Sequence, residues 1–106
     1  AITTSGKVRL NSSEDLANSG AADLTKVASY FTTGSSETGT LAAGAAGQIK
    51  TFMMVGDGGD MVITVSNPGW GGSGTITFDA VGDGVTLQYI NSKWYCIGAN
   101  GVGFNI

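Results

Sequence analysis

The sequence predicts an all-β fold, a small β-sandwich or jelly roll of about seven to eight short antiparallel strands. Apolar and polar residues alternate with period two in several short runs, and glycine-rich turn signals separate those runs. Past residue 23, no stretch repeats apolar residues at helical spacing over a helical length. Short strands at this spacing are typical of sandwiches and barrels, so we expect one domain.

The candidate strands follow one another closely along the chain. They are LTKVASYFTT at 24–33, TGTLAAG at 38–44, GQIKTFMMV at 47–55, MVITV at 61–65, TITFDAV at 75–81, VTLQYI at 85–90, KWYCIG at 93–98 and a last short strand at 102–106. Ile76 and Phe78 share one face of their run. Asn91-Ser92 is a two-residue connection, which predicts a hairpin between the runs on either side of it.

The first 22 residues differ in composition from the rest, because they are mostly small and polar. Ile2, Val8 and Leu10 suffice for one short strand at most. We therefore expect an N-terminal arm or extended segment at 1–22, with a merely flexible terminus as the alternative, and a single β-sandwich domain at 23–106.

Charge and composition exclude several classes of partner. The net charge is −3 and the five basic residues are scattered, so we expect no binding to nucleic acid. No apolar run approaches the ~20 residues of a membrane span, and no secretory leader pattern is present, so we expect no membrane partner and a soluble protein made in a reducing compartment. Only 12% of residues are charged, which suits a surface that packs against neighbours. Cys96 lies in the apolar stretch KWYCI and is expected to be a buried, inert thiol.

The string Val-Gly-Asp-Gly occurs twice, at 55–58 and 81–84, each time just before an apolar run. An EF-hand starting at Asp57 would need a carboxylate where Pro68 stands, and a chain with no histidine and one cysteine has no zinc site. Turn chemistry is the simpler interpretation, because glycine adopts positive φ and aspartate accepts local backbone hydrogen bonds. We expect two β-turns and no cofactor. A loose calcium site stays open, with ligands Asp57, Asp60 and Asp83.

We expect the protein not to be an enzyme. The glycine-rich run at 69–74 lacks the lysine of phosphate-binding loops and leads into a strand. Without histidine, catalysis needs paired carboxylates or a Ser–Lys arrangement. The acids fall mostly in turns or loops, and Asp79 and Asp83 are the pair that a hydrolase would use.

The two tryptophans have different surroundings in the sequence. Trp94 lies on a candidate strand and is expected in the core. Trp70 lies in PGWGGSG, which leaves three interpretations open: a plug folded onto the sandwich, a contact between subunits, or an exposed face that stacks on a sugar ring.

Three stretches together resemble the sequences of a known group of proteins. They are TLAAGAAGQIKT at 40–51, DGGDMVITV at 57–65 and GTITFDAVGDGVTLQYINSKWYCIGANGV at 74–102. They resemble small β-rich virion proteins of tailed bacteriophages, in particular those of marine phages and cyanophages. In that family an L-x-x-G-x-x-G-Q-x-K opening leads to T-I-T-F-x-x-V-G-D-x-V-T-L and then to an N-x-K-W-Y hairpin. The resemblance covers roughly residues 38–102 and carries no catalytic residues.

The resemblance implies a β-sandwich that is made in the host cytoplasm and assembled into the virion. It fits either a capsid decoration (cement) protein on the capsid surface or a module of a tail-fibre or receptor-binding protein. Two features favour decoration. Ala1 is the residue type that remains when an initiator methionine is trimmed, so we expect a complete polypeptide, and the arm is long enough to reach a neighbour.

We therefore expect a decoration protein that binds the major capsid protein, stabilises the head and is a homotrimer, as such proteins often are. The expected contacts to the capsid or to a sister subunit are Ile2, Val8, Arg9, Leu10 and Trp70. A carbohydrate receptor is expected only under the tail alternative, with the Trp70 loop as the ligand face.

Overall fold

A computed structural model describes residues 12–105 and shows two five-stranded sheets, here called sheet A and sheet B, packed on one core. The prediction of an all-β, sandwich-like fold is confirmed. The strands are β1 Ser13–Asp15, β2 Gly20–Ala21, β3 Ala28–Thr32, β4 Glu37–Leu41, β5 Ile49–Gly56, β6 Met61–Val65, β7 Thr75–Phe78, β8 Gly84–Ile90, β9 Lys93–Asn100 and β10 Gly103–Phe104. These are 10 strands, more than expected, because β1 and β2 are too short to show a periodic pattern. β10 lies within the last short strand that the sequence predicts at 102–106.

The chain alternates between the two sheets from β1 to β6. Sheet A has the order β1-β3-β5-β8-β9 and sheet B the order β10-β7-β6-β4-β2. The pairs β1–β3, β3–β5, β2–β4 and β4–β6 are therefore parallel, and the remaining pairs are antiparallel. The expectation of antiparallel strands is wrong for the first half of the fold. Alternation in sequence reports which side of a strand is buried, whereas the connections across the sandwich decide the direction of its neighbour.

The sheets begin before residue 23, where the composition changes. β1 pairs with β3 and β2 pairs with β4, each at the edge of its sheet. Leu16 and Ala22 lie in the core, at 5% and 7% exposure. The part of the expected arm from residue 12 to 22 thus belongs to the two sheets, and residues 1–11 lie outside the described residues.

The core is formed by the inward rows of both sheets, as alternation predicts. Ile76 and Phe78 are fully buried, and Phe78 packs edge-on against Phe31 of the opposite sheet with ring centroids 5.0 Å apart. The predicted hairpin joins β8 to β9 through Asn91 and Ser92, whose φ values of 53° and 61° are those of a tight two-residue turn.

Candidate functional site

The outer face of sheet A is uncharged over its three central strands, β3, β5 and β8, and carries large apolar side chains among a few threonines and Gln88. Tyr30 on β3 lies opposite Met53 on β5, and Met53 lies opposite Gly84 on β8. Most of the exposed large apolar side chains of the described residues lie on this face: Tyr30, Ile49, Met53, Val55 and Ile90. No outward position of these three strands carries a charge. We call this surface the A face.

The outer face of sheet B has a different chemistry. Its outward positions are mostly threonines, with Thr40, Thr64 and Thr75 in one row across three strands and Thr38, Val62 and Thr77 in the next. Hydroxyl groups at these positions can hydrogen-bond to water at little cost. The sandwich therefore has one outer face with large exposed apolar side chains and one outer face that consists mainly of threonines.

A concave feature lies between β9 of sheet A and β10 of sheet B. We call it the edge groove. It has a volume of about 340 Å³ and is lined by Gly69, Trp70, Tyr95, Cys96 and Phe104. The Trp70 and Phe104 rings meet edge-on, with centroids 5.0 Å apart. The groove is therefore largely aromatic, with residues supplied by a loop and by one strand of each sheet.

The two tryptophans differ in how their indole N–H groups are satisfied. Trp94 is fully buried, and its Nε1–H donates to the carbonyl of Ala42 at 2.9 Å, so the prediction that it lies in the core is confirmed. Trp70 is half-buried against Phe104, and its Nε1–H is buried without a partner among residues 12–105. Trp70 thus packs partly against the core, as the plug interpretation expects, and also lines the edge groove.

Cys96 is exposed, so the expectation of a buried thiol is wrong. Trp94 is the last fully buried residue of β9, and every residue from Cys96 to Asn100 is exposed. The cause is that β9 continues past the part of sheet B that covers it. The apolar stretch KWYCI predicts a buried strand but carries no information about where the opposite sheet ends.

The second Val-Gly-Asp-Gly string forms a turn, as predicted, with Gly82 at a φ of 92°. The first does so only in part, because Val55 and Gly56 belong to β5 and the bend at Gly58 and Gly59 has no glycine at positive φ. In the first, Asp57 Oδ1 accepts a hydrogen bond from the Gly59 N–H at 3.2 Å. In the second, the buried Asp83 uses Oδ2 to accept from the N–H groups of Asp79 at 3.0 Å and Ala80 at 3.2 Å. These aspartates therefore hold their own turns through backbone donors, which is local turn chemistry.

The acidic residues do not form a metal site in the part of the chain that the structure describes. Residues 12–105 contain no group of three His, Cys, Asp or Glu side chains placed to hold an ion, so the loose calcium site through Asp57, Asp60 and Asp83 finds no support there. A hydrogen bond between the side chains of Asp79 and Asp83, together with the negative charge of Asp83, raises the pKa of Asp79. Asp79 is exposed to solvent, so this pair does not lie in a closed cleft.

Of the contact residues expected from the sequence, Trp70 lies at the edge groove, whereas Ile2, Val8, Arg9 and Leu10 lie outside the described residues. Tyr95, Phe104 and the A face were missed. The A face has a signal in the run Phe52-Met53-Met54-Val55, which is apolar at every position instead of alternating. The groove has none, because its residues come from separate elements.

No protein-family model matches the chain, and no curated protein matches it either. Among residues 12–105, the structure has no helix long and apolar enough to cross a membrane.

Proposed function

We propose that the protein is a structural component of a bacteriophage virion, a capsid decoration (cement) protein that binds the outer capsid surface and stabilises the head. Its partner is the major capsid protein, and it acts as a homotrimer without catalysing a reaction. The proposal rests on the resemblance over residues 38–102 and on one structural observation, the uncharged A face with its exposed large apolar side chains.

The A face has the properties of a surface that is covered in use. Contiguous exposed apolar side chains are unfavourable in water and mark interaction sites. Covering them returns about 25 cal/mol for each Å² removed from water. With no charge at the outward positions of its three central strands, the face loses no ion hydration when a partner covers those positions. The threonine-rich face of sheet B is suited to remain in contact with solvent.

A charge placed at the centre of the A face tests this proposal. Met53 is 37% exposed, so Met53→Lys adds a charge without emptying the core. Thr64→Lys adds the same charge to the outer face of sheet B and serves as the matched control. We expect Met53→Lys to weaken binding to heads lacking the protein by at least tenfold and Thr64→Lys to bind normally. Equal binding by both variants, with both folded, rejects the A face as the capsid contact.

A receptor-binding module of a phage tail is the second candidate, and the edge groove is the observation that favours it. Trp70, Tyr95 and Phe104 offer aromatic surface of the kind that stacks on sugar rings. Under this alternative, Trp70→Ala abolishes adsorption of the phage to its host and leaves the heat resistance of heads unchanged. Under the decoration proposal, removal of the protein weakens heads to heat, and Trp70→Ala leaves adsorption intact.

A further inference from the structure

The edge of sheet A is incomplete next to the edge groove. The Trp94 N–H donates to the carbonyl of Asn67 at 2.9 Å, and the Gly69 N–H donates to the carbonyl of Trp94 at 2.8 Å. At Trp70 the chain turns away, through Gly71 with a φ of 83°. The segment 67–69 therefore covers one position of the β9 edge and then departs.

The next position along that edge is open. In an antiparallel pair, alternate residues direct their N–H and C=O groups to the same side. The backbone groups of Cys96 consequently point the same way as those of Trp94, away from β8. Among residues 12–105, no turn or loop segment bonds to either group, in contrast to those of Trp94. β9 carries a bulge directly after this position, because Leu87 pairs with Cys96 and Thr86 pairs with Gly98. An unpaired strand edge of this kind is a template for another extended segment.

The edge groove lies beside this open position. Its 340 Å³ volume is lined by aromatic rings, which suits an apolar side chain that projects from an added strand. Trp70, which lines the groove, has a buried Nε1–H that lacks an acceptor among the described residues. The open backbone position and the groove therefore call for an extended segment with apolar side chains on one side.

This chain contains such a segment before β1. Residues 7–10 read Lys-Val-Arg-Leu, so in an extended conformation Val8 and Leu10 share one side while Lys7 and Arg9 share the other. We propose that residues 7–10 of a second copy of this chain add to the β9 edge at Cys96, with Val8 and Leu10 directed into the edge groove.

The reach of the chain requires the segment to come from another copy. β1 and β9 are the two opposite edges of sheet A, four strand spacings apart, which is about 19 Å at ~4.8 Å each. Leu10 is separated from Ser13 by a stretch that spans at most about 11 Å, and Val8 by at most about 18 Å, when fully extended. Neither length allows the chain to pass around its own sheet and then pair with its own β9.

The resulting contact is head-to-tail, because donor segment and acceptor groove are different surfaces of the protein. Such contacts close into rings or continue as filaments, and a ring of three is the homotrimer of the proposed function. The assignment rests on the self-association in that proposal but not on capsid binding. The contact between copies and the binding to the capsid can therefore be disproved independently of each other.

Disulfide trapping in the full chain tests the contact directly. Cys96 is the only cysteine of the sequence and is exposed, so a cysteine introduced at Val8 or Leu10 reports on proximity to the groove. We expect Val8→Cys and Leu10→Cys, after mild oxidation, to give linkages to Cys96 of another chain at least tenfold more often than Lys7→Cys. Mass spectrometry of mixed isotope-labelled chains separates linkages between chains from linkages within one. Equal yields from Lys7→Cys, or linkages within single chains, overturn the proposal.

Self-association in solution gives a second readout that does not depend on oxidation. The double variant Val8→Ser with Leu10→Ser is compared with Lys7→Ser by sedimentation velocity, and circular dichroism checks that both are folded. We expect the double variant to raise the dissociation constant of the oligomer at least tenfold and Lys7→Ser to change it less than twofold. A parent protein that is monomeric at all concentrations overturns the proposal. Glycan binding that Trp70→Ala abolishes, without self-association, also overturns it by assigning the groove to carbohydrate.

Discussion

The ammonium of Lys50 lies 3.6 Å from the Glu14 carboxylate inside the sandwich, and the Lys50 side chain has no exposed surface. Lys50 also donates to the carbonyls of Asp23 at 2.9 Å and Lys26 at 3.1 Å. Glu14 Oε2 in turn accepts from Ser29 Oγ at 2.5 Å. Burial lowers the pKa of Lys50, and the charge of Glu14 opposes that change. A desolvated cation is tolerated only when it is paired in this way, so the network ties β1 to β3 and β5.

Removing the charge of Glu14 is expected to destabilise the fold. Glu14→Gln leaves the Lys50 ammonium buried without its counterion, which should lower the free energy of unfolding by roughly 2–4 kcal/mol. Urea unfolding followed by fluorescence measures the change. Asp15→Asn removes the same charge from the neighbouring exposed position of β1 and should cost less than about 0.5 kcal/mol. A loss for Glu14→Gln no larger than that of this control would contradict a structural role for the ion pair.

Replacing Asp79 next to Asp83 is expected to raise stability in a pH-dependent way. The pKa of Asp79 is raised above 3.8 in the folded protein, so the folded state binds this proton more tightly than the unfolded state does. The pair therefore costs stability above the folded pKa, and the cost disappears as the pH falls through that pKa towards 3.8. We expect Asp79→Asn to raise the thermal midpoint at about pH 7 and to have no such effect below 3.8.

Differential scanning calorimetry across this pH range measures the effect, with Asp15→Asn as the control for a change in net charge. A gain for Asp79→Asn that persists undiminished at acid pH would show that repulsion from Asp83 is not its cause.

Replacing each tryptophan by phenylalanine separates a satisfied indole from an unsatisfied one. Trp94→Phe removes the donor to the Ala42 carbonyl and leaves a gap in the core, which should cost roughly 2–3 kcal/mol. Trp70→Phe removes an N–H that has no partner among the described residues and keeps an aromatic ring near Phe104, so its cost should be below about 1 kcal/mol. Guanidinium unfolding of both variants at one protein concentration measures the two costs. Similar costs for the two variants would refute the assigned difference.

Gly101 is expected to tolerate alanine far less well than Gly71. Both have positive φ, 73° and 83°, which costs an alanine roughly 1–2 kcal/mol. A Cβ at Gly71 meets open space, whereas a Cβ at Gly101 collides with the Asp83 carboxylate that holds the turn before β8. Gly101→Ala should therefore cost at least about 1 kcal/mol more than Gly71→Ala in urea unfolding. Equal costs would mean that the Asp83 carboxylate can move away from the added Cβ without any loss of stability.

Several elements were predictable from the sequence because their determinants are local. The β8–β9 hairpin follows from two alternating runs joined by Asn91-Ser92, and the turn at the second Val-Gly-Asp-Gly string follows from the backbone preferences of glycine and aspartate. Lys50 shows the limit of such reasoning. It occupies an inward position of β5, and only the carbonyls and the carboxylate supplied by distant segments make its burial tolerable.

By itself, the sequence determined the all-β class, most strand positions, the turns and the side of each strand that enters the core. These depend on side-chain period and turn chemistry within a few residues. Only the tertiary structure decided that the first six strands pair in parallel, that residues 12–22 join the sheets and that Cys96 is exposed. It also decided that Trp70, Tyr95 and Phe104 form one groove. These features depend on which segments meet across the sandwich and where one sheet stops covering the other, and no local pattern encodes either.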